Sequence, residues 1–171
     1  MAAPSFNPRA VLTALERESV AYVLIGGLAR ILRGADEPTT GVDICPSLRA
    51  SNMPRLQRAL EELDAEPTTG RRKTIDVAQL GQQPVVALRT PAGALQVIGA
   101  PGGTRNGYDD LRRGATREHI GHGLRPSVAS TADLARMAAA LGRNQDLQRL
   151  GQLRRIMELE VGLHRRLERD R

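Results

Sequence analysis

At 171 residues the chain has the length of one domain, and its 40% hydrophobic and 26% charged residues exclude wholesale disorder. Aromatic residues make up only 2% of the chain, which excludes a ring platform for stacking single-stranded nucleic acid. The net charge of +6 comes from 25 Lys and Arg against 19 Asp and Glu, and Lys73 is the only lysine. The excess is therefore guanidinium, which suits a phosphate, another anion or RNA, although an Arg, Ala, Gly and Leu bias also follows from a GC-rich genome.

Taken in chain order, Asn7-Pro8 reads as an N-cap followed by proline in the first turn of a helix over 8–18. Val20 to Ile25 is a compact apolar run that stops at Gly26-Gly27, which predicts a buried strand entering a glycine turn. A short helix over 28–33 follows, then a polar stretch from Asp36 to Thr40 and a second short strand from Gly41 to Cys45. Asn52 and Pro54 open another helix carrying Leu56, Leu60 and Leu63 on one face. Gly70 to Lys73 is a basic turn. Val85–Arg89 and Leu95–Ile98 are strands joined as a hairpin through Thr90-Pro91-Ala92-Gly93. After a glycine-rich loop over 99–107, Ser130 to Asp133 is a capping-box pattern ahead of Leu134, Met137 and Leu141. A last helix starts near Asp146. The order predicts one α+β domain over 1–171, a mixed sheet flanked by helices, with a core over about 8–100 and a helical part over about 108–171.

The segment that carries chemistry is Tyr22-Val23-Leu24-Ile25-Gly26-Gly27-Leu28-Ala29-Arg30, followed by Thr40-Gly41-Val42-Asp43-Ile44-Cys45-Pro46. A strand that breaks at Gly-Gly and enters a helix exposes backbone N–H groups able to hold a phosphate. Taken alone, it is equally a plain tight turn. The two pieces together resemble the nucleotidyltransferase superfamily, in particular its small stand-alone bacterial members, the AbiE-type toxins and minimal nucleotidyltransferases. In that family the second strand carries Asp-x-Asp, and side chains two apart on a strand share a face, so the paired acids can share two Mg²⁺ ions. A third acid comes from a later strand. The similarity runs through Leu88–Ile98, Gly107–Leu111, Asp133–Met137 and Gly142–Asp146, covering roughly 20–155.

The sequence departs from that pattern at most of its acids. Gly41 stands where the first acid is expected, Asp43 matches the second, and the third falls on Gln96, or on Ala94 in a register shifted by one same-face step. Ala138 stands where relatives carry lysine. Hard divalent cations want several anionic oxygens, so Asp43 could hold at best a single weak Mg²⁺. Asp36, Glu37 and Asp76 are candidate replacement acids. The resemblance implies Gly26, Gly27, Arg30 and Thr40 as ligand or phosphate contacts, with Asp43 as the retained catalytic acid.

Other groups have blander readings. His119 and His122 are three apart but flanked by glycines, without a third zinc ligand. Cys45, the single cysteine, reads as a small buried residue, forbids an intramolecular disulfide and fits a cytoplasmic setting. No signal peptide and no membrane-length apolar segment is expected. Arg71-Arg72-Lys73 and the terminal arginines are either anion clamps or solvated charge.

Three functional expectations follow. The first is a nucleotidyltransferase-fold protein that binds a nucleotide-like or other anionic ligand, with weak or absent transfer. The second is an active metal-dependent transferase that modifies tRNA, protein or a small molecule; the resemblance then adds tRNA and a cognate antitoxin as partners. The third is a repurposed metal-independent enzyme of small-molecule metabolism using the same pocket.

Overall fold

The computed structural model of the chain describes residues 5–70, 80 and 83–170. Arg71-Arg72-Lys73 and Asp76 lie outside the described residues.

The first helix, α1 (Pro8–Arg17), starts as its sequence predicts: the Asn7 side chain accepts from the Ala10 N–H at 3.2 Å, with Pro8 in the first turn. Strand β1 (Tyr22–Ile25) is buried at every position. Helix α2 (Gly26–Leu32) begins at the glycine pair itself, not at Leu28. Gly26 has φ +71°, a left-handed value cheap only for glycine, and it turns strand into helix with no intervening loop. Strand β2 (Gly41–Pro46) and helix α3 (Met53–Glu62) follow.

Asn52 and Pro54 open α3 as expected, although the Asn52 side chain makes no cap hydrogen bond. It is buried, and its amide donates to the Ala21 and Ser47 carbonyls at 2.9 and 2.8 Å while its oxygen accepts from the Ala21 N–H at 2.8 Å. A buried backbone edge next to β1 takes the polar group that a helix end would otherwise use.

The remaining strands are β3 (Glu66–Pro67), β4 (Val85–Thr90), β5 (Gly93–Ile98), β6 (Thr116–Arg117) and β7 (Ser127–Val128). Helices α4 (Tyr108–Gly114), α5 (Thr131–Leu141) and α6 (Asn144–Arg169) make up most of the C-terminal third. Ser130 caps α5 as expected, its hydroxyl accepting from the Asp133 N–H at 3.1 Å. Among the described residues one seven-stranded mixed sheet forms, in the order β3-β4-β5-β2-β1-β7-β6. The pairs β2–β5 and β1–β7 are parallel and the others antiparallel. This is the α+β class that the element order predicts.

The register decides what the sheet presents. Alternation sends Val42, Ile44, Leu95 and Val97 into the core, where each is almost fully buried. The opposite face carries Gly41, Asp43, Ala94 and Gln96, and there α5 and α6 pack against each other. Arg33, at the end of α2, clamps the short outer strands: it donates to the Val128 and Ala129 carbonyls at 2.8 and 2.9 Å and to Glu118 at 2.7 Å. Among the described residues no helix is long and apolar enough to cross a membrane.

Candidate functional site

Asp43 lies on the α5–α6 side of the sheet, in register with Ile25 on β1 and with Gln96 on β5. Residues two apart on a strand share a face, so Gly41 and its partner Ala94 stand beside Asp43 and Gln96. A cavity of about 320 Å³ opens over this row. Ile25, Asp43, Gln96 and Ile98 form its floor, and Leu134, Met137, Ala138 and Leu141 of α5 form an apolar wall. Arg143, Asp146 and Arg149, from the start of α6, close the polar end beside Arg30.

Gly26 brings the Asp43 carboxylate close to the β1–α2 turn. A side chain at Gly26 would collide with it, because an added methyl would sit 2.8 Å from Asp43 Cβ and closer still to a carboxylate oxygen. Burial raises the Asp43 carboxyl above the ordinary aspartate value, and the positive charges of Arg30 and Arg149 offset only part of that.

The other acids near the cavity are already engaged. Arg30 grips Glu37 in a two-pronged pair, Nε to Oε2 at 2.9 Å and Nη2 to Oε1 at 2.8 Å. Both side chains are mostly buried. Arg149 stands 3.9 Å from the same Glu37 and donates to Asp146 Oδ1 at 3.2 Å. Asp146, itself buried, accepts from the Arg143 backbone N–H at 3.2 Å and from Arg143 Nε at 2.6 Å, forming the capping box of α6. These bonds hold the Asp146 carboxyl below the ordinary range, the Arg143 side chain being the largest cause. Three arginines thus meet Asp43, Glu37 and Asp146, so the polar end of the cavity is close to charge-balanced. Among the described residues no group of three His, Cys, Asp or Glu side chains is placed to hold a metal ion.

Of the expected site residues, Asp43, Gly26 and Arg30 come together in the cavity lining. Gly27 faces Thr39 and Glu37 instead, and Thr40 is exposed outside the lining. Asp36 is exposed. His119 and His122 are exposed on the β6–β7 connection. Cys45 is fully buried, and that burial pushes its thiol up to about 12, so it stays protonated and inert at neutral pH. Arg143, Asp146 and Arg149 were not expected as site residues. Their R-x-x-D-x-x-R spacing is a visible capping signal, but nothing local shows that α6 begins at the mouth of a cavity floored by Asp43 and Gln96, about a hundred and about fifty positions earlier.

Similar chains among solved structures include two that cover most of this one. One is the crystal structure of the lincosamide antibiotic adenylyltransferase LnuA, lincomycin-bound, with a TM-score of 0.56 and 14% identity over 89% of this chain and 99% of that one. The other is the solution structure of the antibiotic-resistance factor ANT(2'')-Ia, with a TM-score of 0.50 and 12% identity over 92% of this chain and 95% of that one. The fold is nucleotidyltransferase-like. No family model and no curated protein matches the sequence. Within a nucleotidyltransferase-like fold the Asp43 face of β2 and β5 is where the resemblance implies the acids, and the register sets Gly41, Asp43, Ala94 and Gln96 side by side there.

Proposed function

We propose that this chain uses its nucleotidyltransferase-like fold to bind a small anionic ligand in the Asp43 cavity, with nucleotidyl transfer weak or absent. The reading rests on one observation: Asp43 is the only carboxylate on its row, beside Gln96, Gly41 and Ala94. The two other acids within reach, Glu37 and Asp146, are each held by arginine. A two-metal centre needs several carboxylate oxygens converging on the cations. One aspartate and one amide do not meet that need, so the donor set does not fit such a centre and no step is routed through it. The guanidiniums and the Gln96 amide instead offer hydrogen-bond donors to an anion.

Incubation with each labelled nucleoside triphosphate, Mg²⁺ or Mn²⁺, and total tRNA tests the reading. The expected result is no label transfer, with titration calorimetry detecting an anion that binds Asp43→Ala at least as tightly as wild type and Arg149→Gln more weakly. Transfer that disappears in Asp43→Ala would overturn it. That result would favour the second reading, an active adenylyl- or nucleotidyltransferase, which draws support from the likeness to a lincosamide adenylyltransferase. In that case a replacement acid is needed, and Glu37, Asp146 and Asp76 are the ones to test.

A further inference from the structure

Resting on the reading of the Asp43 cavity as a small-ligand site, we propose that its ligand is a carboxylate with a saturated, non-aromatic body, bound without a divalent cation.

The chain has one Phe, two Tyr and no Trp, so its aromatic residues can be placed one by one. Phe6 packs on Gly93, 2.8 Å from where a side chain there would begin. Tyr22 is buried in β1 with its hydroxyl donating to Glu16 at 3.0 Å. Tyr108 opens α4 and packs against the core. None of the three lines the cavity. A nucleobase would find no ring to stack on, and a triphosphate would find no built metal cage.

The cavity offers a different complement. Its wall is aliphatic: Ile98, Leu134, Met137, Ala138 and Leu141. Its volume of about 320 Å³ corresponds to roughly ten water volumes and sits at the bottom of the range for small-molecule pockets. That suits one compact ligand and is small for a nucleoside triphosphate together with an acceptor. At the polar end Arg30 commits Nε and Nη2 to Glu37, and Arg149 commits Nη1 to Asp146. This leaves Arg30 Nη1, Arg143 Nη1 and both Nε and Nη2 of Arg149 without a hydrogen-bond partner among the described residues. The adjacent Nε and Nη2 of Arg149 form one open fork, the geometry that pairs with a single carboxylate through two parallel bonds. Gln96 adds an amide donor where a carboxylate would repel an anion.

The test uses the full chain, with and without EDTA for the carboxylates and without EDTA in the Mg²⁺ arm, by titration calorimetry and thermal-shift measurements. The probes are acetate, butanoate, hexanoate, octanoate and cyclohexanecarboxylate, set against the four nucleoside triphosphates with and without Mg²⁺. Affinity is expected to tighten roughly fourfold per added methylene until the cavity is filled, then level off, and to be insensitive to EDTA. Leu141→Asp is expected to abolish that dependence on chain length. Leu141 is 55% exposed, so the new charge reaches water and the fold survives. Arg149→Gln is expected to weaken every carboxylate at least tenfold while keeping the dependence on chain length. A flat chain-length series, or absence of binding by all the carboxylates, overturns the proposal. Triphosphates binding more tightly than any carboxylate, with loss in Arg149→Gln, overturn the ligand class but leave the cavity a binding site. Label transfer dependent on Asp43 would instead remove the underlying reading.

Discussion

Asp146→Ala should be the most damaging single change at the rim of the cavity. Asp146 has a side chain only 2% exposed, yet it serves as the capping-box residue of α6 and as the partner of two arginines. Loss of the cap costs about 1 kcal/mol. Arg149 is less than a third exposed, and losing its charge-assisted bond costs about 1.5–2 kcal/mol. Arg143 is more than half exposed, so its ion pair adds at most about 0.5 kcal/mol. The sum is about 3 kcal/mol, which for a domain of this size lowers the unfolding midpoint by roughly 6–12 °C. The sign with pH is fixed by the depressed Asp146 carboxyl. Its contribution is present in full above the ordinary aspartate value and is lost as pH falls through its own lower value, so the gap between wild type and variant narrows in acid. Thermal unfolding followed by circular dichroism at neutral and acidic pH measures both. A loss below about 1 kcal/mol, or a gap that does not change with pH, would refute the assignment of the capping box as the fastening of α6 to the site.

Asp43 carries the opposite sign. Burial raises its carboxyl, so its destabilising charge is absent below the ordinary aspartate value and grows as pH rises toward its folded value. Asp43→Asn should therefore be more stable than wild type at neutral pH and should lose that advantage in acid; a variant less stable at neutral pH contradicts this. Gly26→Ala should cost about 1–2 kcal/mol for its left-handed backbone, plus the overlap with Asp43. In an Asp43→Gly background only the backbone part should remain, so additive losses in a double-mutant cycle would rule out the overlap. Arg33→Met should cost about 3 kcal/mol, because the Val128 and Ala129 carbonyls lose charged donors. Amide hydrogen exchange should then quicken first in β6 and β7; uniform exchange would contradict the clamp.

What the sequence discloses about this fold is mostly local chemistry. Asn7-Pro8, the hairpin around Pro91-Ala92 and the Ser130 cap each act within four residues and stand where their patterns place them, while Gly26-Gly27 ends β1 as read but is the first turn of α2 and not a separate turn. Asn52 marks the start of α3 as read, but its side-chain partners, Ala21 and Ser47, lie outside that helix and could not be foreseen locally. The two-residue strands β3, β6 and β7 are too short to show any alternation. α6 begins at Asn144, two residues before the expected start, since Asp146 is the inner partner of the cap and not the cap itself. At the site, Asp43, Gly26 and Arg30 are legible as one motif. The pairing of Arg30 with Glu37, and of Arg149 with both Glu37 and Asp146, depends on where α6 docks, and helical periodicity carries no information about that.

The departures at Gly41, Ala94 and Gln96 constrain one another, which bears on whether the acid set can be rebuilt. A side chain at Gly41 would start 3.0 Å from the Ala94 carbonyl oxygen and 3.1 Å from Ala94 Cβ, tighter than ordinary packing in both cases. Gly41→Asp alone should therefore strain the β2–β5 pairing, lower stability and still leave only two acids on the row. Gln96→Asp meets no such obstacle, because position 96 is exposed on the cavity side. Gly41→Asp with Ala94→Gly and Gln96→Asp removes the Cβ contact, leaves only the carbonyl contact for the strands to relax and puts three carboxylates on one face; this combination is expected to bind Mn²⁺ by calorimetry while neither Gly41→Asp nor Gln96→Asp alone does. Gly41→Asp binding Mn²⁺ at wild-type stability would show that β5 yields easily. The close approach of Ala94 would then be no barrier, and the missing acid at position 41 would reflect sequence drift in a site still shaped for metal.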